Sequence, residues 1–293
     1  MSNNKPVIII TGANGFLGSN LVDYFARKGY LVKALVRNPQ KLQQENVEFH
    51  HYDLSEKINE QIFENADYLV HCAYIKTDND KQALLNNIEG SKKLLEVSRR
   101  KNLKKNIFIS SLSAKENALS EYGRQKFHIE KIFTGTDCLV IRPGLILGDG
   151  GLAKSIIQLI KKNKFIPLIN GGIQPIQTAD LDNLKTSIEF LIQQNRYGVY
   201  TIAEFPPVSY KDFCKYISKS LGLKRIYIYV PYWLVYMAVS LLNMIGVKLS
   251  ISKDNLIGLK MTEAIKVDNE ITTGTKHMNY QQSLDVLLAN SRK

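Results

Sequence analysis

The chain has 293 residues, 44% of them hydrophobic and 23% charged, and carries a net charge of +12. That length suits one large α/β domain or a cofactor domain with a smaller companion, and the composition excludes a disordered chain. The basic balance (pI near 9.4) fits a multiply phosphorylated ligand, but its densest groups, Arg99-Arg100-Lys101 and Lys161-Lys162-Asn163-Lys164, fall near expected helix ends and interleave with no exposed aromatics, so nucleic acid is not an expected partner.

The first half alternates short apolar runs with helical periodicity. Val7-Ile10 is a β-branched run that predicts a strand, and Leu17, Leu21 and Phe25 then recur every four residues on one helix face. Strands are predicted at Val32-Val36, Glu48-Tyr52, Tyr68-His71, Ile107-Ser110 and Cys138-Arg142. Helices are predicted at about Lys81 to Lys101 and Tyr122 to Phe133. Apolar strands separated by helices imply a parallel sheet buried on both faces. Beyond Pro143-Gly144 the pattern loosens. Helical stretches read near Leu152-Asn163, Leu181-Gln193, Tyr210-Leu221 and Gln281-Ala289, with strands at Gly198-Ala203 and Arg225-Val230.

This order predicts an α/β chain: a doubly wound Rossmann sheet with a smaller, mostly helical carboxy-terminal domain for the substrate. The expected boundaries are 1–147 for the dinucleotide-binding domain, with 178–204 returning to it, and 148–177 plus 205–293 for the substrate domain. Tyr227 to Val247 carries no charge, yet Pro231, Ser240, Asn243 and Gly246 interrupt it. A helix from about Tyr232 to Ile245, covering the substrate cleft and too short to span a bilayer, is the expectation there. Three separated cysteines, Cys72, Cys138 and Cys214, read as free thiols of a reducing compartment, and the polar start, Met1 to Pro6, reads as no signal peptide; both place the chain in the cytoplasm. The five histidines lack ligand spacing, so no metal is expected.

The strongest local signal is Thr11-Gly12-Ala13-Asn14-Gly15-Phe16-Leu17-Gly18, directly after the first strand and opening the first helix. Glycines there permit a tight turn, close approach of backbone N–H groups to a pyrophosphate, and close helix–strand packing. At the end of the second strand, where an acidic residue would bind ribose hydroxyls, the chain has Arg37, followed by Asn38 and Lys41. A guanidinium suits a 2′-phosphate, so NADP(H) is the expected cofactor and NAD(H) the second choice. Tyr122 and Lys126, four apart at a helix start, converge on one face, where the lysine can stabilise a phenolate. Ser110, Ser111 and Ser113 follow a strand at the sheet edge where ligands bind.

Together these residues resemble the short-chain dehydrogenase/reductase superfamily, in particular its extended and atypical branch of epimerases, dehydratases and keto-sugar reductases. Gly12, Gly15 and Gly18 match its TGxxGxxG. Asp53-Leu54 matches the pair that contacts adenine, His71-Cys72-Ala73 the turn after the fourth strand, and Asn87-Ile88-Glu89-Gly90 the N-x-x-G of the next helix. Arg142-Pro143-Gly144 resembles the segment beside the nicotinamide, and Thr178-Ala179-Asp180-Leu181 a later helix start.

The resemblance implies Ser111, Tyr122, Lys126 and Asn87 as catalytic residues, with Asn87 supporting Lys126. It implies Gly12, Asn14, Gly15, Phe16, Leu17, Gly18, Arg37, Asp53, Leu54, Ala73, Tyr122, Lys126 and Pro143 as cofactor contacts. It also implies a small-molecule substrate; apart from the resemblance, the outer face of the Tyr232–Ile245 helix leaves contact with a membrane surface or a second copy of the chain open. Three departures stand out. Ser111 precedes Tyr122 by only eleven positions, which leaves Ser113 and Ser110 as alternatives. Ile173-Gln174-Pro175-Ile176-Gln177 lacks the arginine that often holds a nucleotide-sugar diphosphate. Leu145-Ile146-Leu147 lacks the usual polar and aromatic residues.

Overall fold

A computed structural model describes residues 5–39, 44–76, 81–244, 264, 265, 267 and 278–290. Its centre is a seven-stranded sheet built from β1 (Val7–Thr11), β2 (Leu31–Val36), β3 (Val47–His51), β4 (Tyr68–His71), β5 (Lys105–Ile109), β6 (Cys138–Pro143) and β11 (Gly198–Ile202). The strand order is β11-β6-β5-β4-β1-β2-β3, and β1 to β6 pair in parallel. The fold is α/β and Rossmann-like. From β1 the chain winds outward through β2 and β3, then returns to add β4 on the other side. The reversal leaves Thr11 and His71 side by side at the carboxyl ends of β1 and β4. In open α/β sheets that reversal marks the ligand crevice.

The sequence dictates this core directly. Ile8, Ile9 and Ile10 are sealed on both faces of β1, as a central parallel strand requires. Helix α1 (Phe16–Arg27) buries Leu21, Val22, Phe25 and Ala26, the stripe its periodicity announces. Helix α2 (Lys81–Arg100) buries Leu94, Leu95 and Val97, and α3 (Glu121–Ile132) follows β5.

The chain divides into two compact units. The first comprises Met1–Ser110, Gln125–Arg142 and Ile188–Tyr200; the second comprises Ser111–Arg124, Pro143–Ser187 and Thr201–Lys293. In the second, α4 (Gly151–Lys162), α6 (Tyr210–Ser220) and the terminal helix α8 (Tyr280–Asn290) close a core of Ile157, Ile160, Ile166, Phe213, Ile217 and Leu284. Helix α5 (Leu181–Gln193) opens at Asp180, whose carboxylate accepts from Asn183 N (2.9 Å) and serves as its cap.

Three two-stranded ribbons complete the second unit: β7 (Leu145–Leu147) with β10 (Thr178–Asp180), β9 (Pro175–Ile176) with β12 (Val208–Ser209), and β8 (Phe165–Ile169) with β13 (Ile226–Val230). The sequence pattern announced β13 but not β8. Pro167 reads as a strand breaker, and a ribbon edge tolerates it. Helix α7 is described over Tyr232–Met244, and Ile245, where its end was expected, lies outside the described residues. Among the described residues no helix is long and apolar enough to cross a membrane.

Candidate functional site

The glycine-rich turn is shaped by three unequal glycines. Gly12 has φ +65°, and a Cβ there would meet Ala73 N at 2.8 Å. Gly18 lies so close to the turn that a Cβ would fall 2.1 Å from Gly12 O. Both are therefore required by the chain's own packing. Gly15 is less constrained: a Cβ there would stand 3.1 Å from Gly12 O, but it caps α1 in extended geometry (φ −77°, ψ 165°) that any residue adopts, and α1 has no side-chain cap. The first-turn amides of a helix lack intrahelical partners and carry positive partial charge. Gly15, exposed with Asn14, thus leaves an open cradle that a side chain would fill, which fits a pyrophosphate. Phe16 and Leu17 are half-buried behind it.

Arg37 is exposed at the end of β2, and Lys41 beyond it lies outside the described residues. His51, ending β3, bonds the Arg37 carbonyl through Nδ1 (2.6 Å) and Glu56 through Nε2 (2.8 Å). Its pKa is raised by those two bonds, which favour the imidazolium. Asp53 accepts from Ser55 N (2.8 Å) and Ser55 Oγ (2.5 Å). Those bonds, with the nearby Arg37 charge, hold its carboxyl below the usual range. Leu54 is buried against α2, where a Cβ on Gly90 would meet Leu54 O at 2.5 Å. Gly90 of the N-x-x-G segment is a packing glycine.

At the β1–β4 junction a hydrogen-bonded relay runs through the core. Ala73 N donates to Thr11 Oγ1 (3.1 Å), and Ser91 Oγ donates to Asn87 O (2.6 Å). These ends fix the His71 tautomer: Thr11 donates to Nδ1 (2.7 Å), and Nε2–H donates to Ser91 (2.8 Å). Burial, aided by the Lys126 charge, pushes the imidazole down to about 3 and keeps it neutral. Asn87, fully buried, accepts from Ile75 N (2.8 Å) and donates to Ile75 O (3.0 Å) and Gln125 Oε1 (3.1 Å). Its hold on α3 passes through Gln125, the residue before Lys126. Tyr74 Oη donates to the same Gln125 oxygen (2.9 Å).

Lys126 is buried. Its ammonium donates to Ile109 O (2.8 Å) and lies 5.0 Å from the centre of the Tyr74 ring and 4.7 Å from that of Phe108. Burial pushes its pKa down to about 8, a shift partly countered by Cys72 and Glu130. One turn beyond, Glu130 accepts from Ser110 Oγ (2.5 Å) and Arg142 Nε (2.8 Å), and a second Arg142 nitrogen pairs with its other oxygen. Ser110 is thereby committed to a buried structural network.

In the second unit, Ser111 Oγ accepts from Ser113 N (3.1 Å), and its side chain is hydrogen-bonded to the Tyr122 hydroxyl. Gly123 makes this approach feasible, since a Cβ there would fall 2.4 Å from Ser113 O. Burial raises the Tyr122 phenol, and the Ser111 bond pulls it back. Ser113 itself is exposed. Pro143 is buried, and Gly144 follows it where a Cβ would meet Gln177 O at 2.4 Å. Tyr122 and Lys126 stand one turn apart on α3.

The candidate residues thus fall into a glycine turn, a basic strand end, a Ser111–Tyr122 pair in the second unit, and Lys126 with its buried neighbours in the first. The sequence pattern did not single out Glu130, Gln125, Tyr74 or the His71 relay. Only Glu130 left a signal, four residues after Lys126 on one helix face.

The model of the NAD dependent epimerase/dehydratase family matches residues 8–175, over half of the chain. The chain belongs to that enzyme family. A candidate dihydroflavonol 4-reductase of Synechocystis sp. is 24% identical over 204 residues, 59% of this chain, which spans 60% of that protein's length. A UDP-glucose 4-epimerase of Vibrio cholerae is 25% identical over 262 residues, covering 77% of this chain and 79% of that protein. The solved structure of MoeE5 in complex with UDP-glucose and NAD covers 98% of both chains with a TM-score of 0.75 at 17% identity, a likeness of fold.

Proposed function

We propose that this family member is an NADP(H)-dependent oxidoreductase acting at a carbonyl or hydroxyl carbon of a small molecule. The observation that carries the reading is the Tyr122–Ser111 hydrogen bond, with Lys126 one helical turn further along α3. Ser111 would hold the substrate oxygen and Tyr122 would exchange the proton there. Lys126 would supply the positive charge that favours a phenolate and would hold the cofactor ribose. Asn87 would position that lysine through Gln125. The nicotinamide supplies or accepts the hydride when bound.

For the cofactor, the reading assigns the pyrophosphate to Gly12, Asn14, Gly15, Phe16, Leu17 and Gly18. It assigns the adenosine end to Arg37, Asp53 and Leu54, and the nicotinamide end to Ala73 and Pro143. Arg37 supports NADP(H) over NAD(H), although the similar MoeE5 was solved with NAD. The UDP-glucose in the names of the Vibrio cholerae relative and of the MoeE5 complex supports a nucleotide sugar as the substrate class, of which a keto-sugar nucleotide would be the reducible form; cytoplasmic placement rests on three free thiols.

The test is NADPH oxidation over a panel of carbonyl compounds, keto-sugar nucleotides included, with wild type and Tyr122→Phe. Turnover should disappear in the variant while NADPH binding and folding stay near wild type. A Tyr122→Phe protein with wild-type turnover would refute the assigned chemistry. An epimerase or dehydratase reading is favoured by the family itself and by the Vibrio cholerae relative. It differs in one readout: product would form with no net consumption of NADPH.

A further inference from the structure

Over its described residues, Tyr232–Met244, helix α7 presents thirteen uncharged side chains, fewer than the ~20 that cross a bilayer. Its first two turns expose Trp233 (61%), Leu234, Tyr236 and Met237 (50%), large apolar groups that a solvent-facing helix would not present. Just before it, the β8/β13 ribbon repeats the pattern. Strand register pairs Ile226 with Phe165 and Ile228 with Pro167, so these four share one ribbon face. Phe165 (55%), Ile226 and Ile228 (44%) are exposed there, while Ile166 and Leu168 on the opposite face are buried. Tyr232 N donates to Asn170 Oδ1 (3.0 Å), which ties the start of α7 to the loop leaving β8.

The charge distribution names a partner. The same register brings Lys161, Lys162 and Lys164, all exposed before β8, beside Lys224 and Arg225 before β13; Ile226 N donates to Lys164 O (2.9 Å). Arg225 Nε fixes this end by donating to Ile160 O (2.7 Å). Residues 151–179 contain no Asp or Glu and four lysines; residues 213–244 contain no Asp or Glu and four Lys or Arg. An apolar, aromatic face bordered by cations, in two segments that themselves carry no Asp or Glu, has the chemistry of a bilayer interface. Ring and aliphatic groups enter the headgroup boundary while lysines meet anionic headgroups. A second copy is a poorer occupant, because closing two such faces on each other would crowd two cation borders, built from segments without Asp or Glu, into one desolvated seam.

We propose that the β8/β13 ribbon and the first turns of α7 form a monotopic docking surface for a bilayer containing anionic lipid. Trp233 is the chain's single tryptophan, so its emission reports this surface alone. The full chain is mixed, without detergent, with phosphatidylcholine vesicles with and without phosphatidylglycerol, and followed by flotation and by Trp233 emission. Flotation with the anionic vesicles is expected, with a blue shift and with quenching by brominated acyl chains.

The triple variant Lys161→Glu, Lys162→Glu, Lys164→Glu should lose binding on the order of 100-fold. Ile228→Ser with Met237→Ser should abolish the blue shift. Thermal melts of both variants establish that they fold, and the exposed lysine positions keep the test open should the apolar variant not. The proposal is overturned if wild type stays with the soluble fraction, if the lysine variant floats like wild type, or if flotation leaves Trp233 emission unchanged. It falls equally if the apolar variant instead turns a dimer into a monomer while neither form floats, since the surface would then serve a second copy.

Discussion

At Tyr122 and Lys126 burial acts on both groups in the direction that removes charge: the phenol is raised, and the ammonium is pushed down to about 8. The lysine's cation, which the proposed chemistry needs, is then present below about pH 8 and lost above it. NADP(H) affinity and turnover of the wild type should therefore fall as pH rises through about 8, measured by fluorescence titration and initial rates. Lys126→Arg, whose guanidinium does not titrate there, should lack that limb. Stability responds with the opposite sign. The unfolded lysine keeps its proton up to its ordinary range, so this group's contribution grows from about pH 8 upward and is lost as pH falls through 8. Arg37 offers a separate test, because it is exposed at the strand end and its loss should not disturb folding. Arg37→Ala should weaken NADP(H) binding on the order of 10–100-fold, the loss of one charge-assisted bond (~1.5–3 kcal/mol), and leave NAD(H) unchanged. Equal wild-type affinities for the two cofactors would contradict the assignment.

The proposed Ser111–Tyr122 pairing depends on helix α3, whose first turn sits hard against the loop after β5. Gly123 sets that distance, with Ser113 O only 2.4 Å from where a Cβ would stand. Gly123→Ala must shift the helix start or the loop. The strain should cost about 1–3 kcal/mol in a urea melt. Displacement of Tyr122 from Ser111 should cut turnover by up to about 100-fold with cofactor binding nearly intact. Unchanged turnover would mean that the two groups do not work as a pair. The sequence made the elements around this site legible for physical reasons. Ile8 to Ile10 could satisfy only a strand buried on both faces, and Leu21 with Phe25 only an amphipathic helix. The Tyr122/Lys126 spacing and the serine run after β5 were equally visible. The ribbons of the second unit were not: β7, β9, β10 and β12 are two or three residues long, and Pro167 disguised β8. Partners chosen by tertiary approach stayed hidden as well. Asn87 gave no sign that it would bond Ile75 and Gln125, nor Ser110 that Glu130 and Arg142 would claim it.

Across the whole molecule, neither compact unit is a continuous stretch of chain. The first unit takes back Ile188–Tyr200 after the chain has left it at Arg142. That returning piece contributes the end of α5, where Ile188, Leu191 and Ile192 are buried, and most of β11, the neighbour of β6 in the sheet. It also carries Glu189, which accepts from Tyr24 Oη (2.5 Å) and pairs with Lys28 (3.2 Å) on α1. Three buried aliphatic side chains contribute roughly 5–9 kcal/mol by transfer from water, as much as the net stability of many domains. A fragment ending at Arg142 would lose that burial and leave β6 as an unpaired edge prone to association. Residues 1–142 alone should therefore show no cooperative thermal transition, a weak near-ultraviolet circular dichroism signal and no NADP(H) binding. Joining 188–200 to the fragment through a flexible Gly/Ser linker in place of 143–187 should restore the transition, because the missing contacts belong to the returning segment. A cooperatively folded 1–142 fragment would show that the returning segment only decorates a sheet that is already stable.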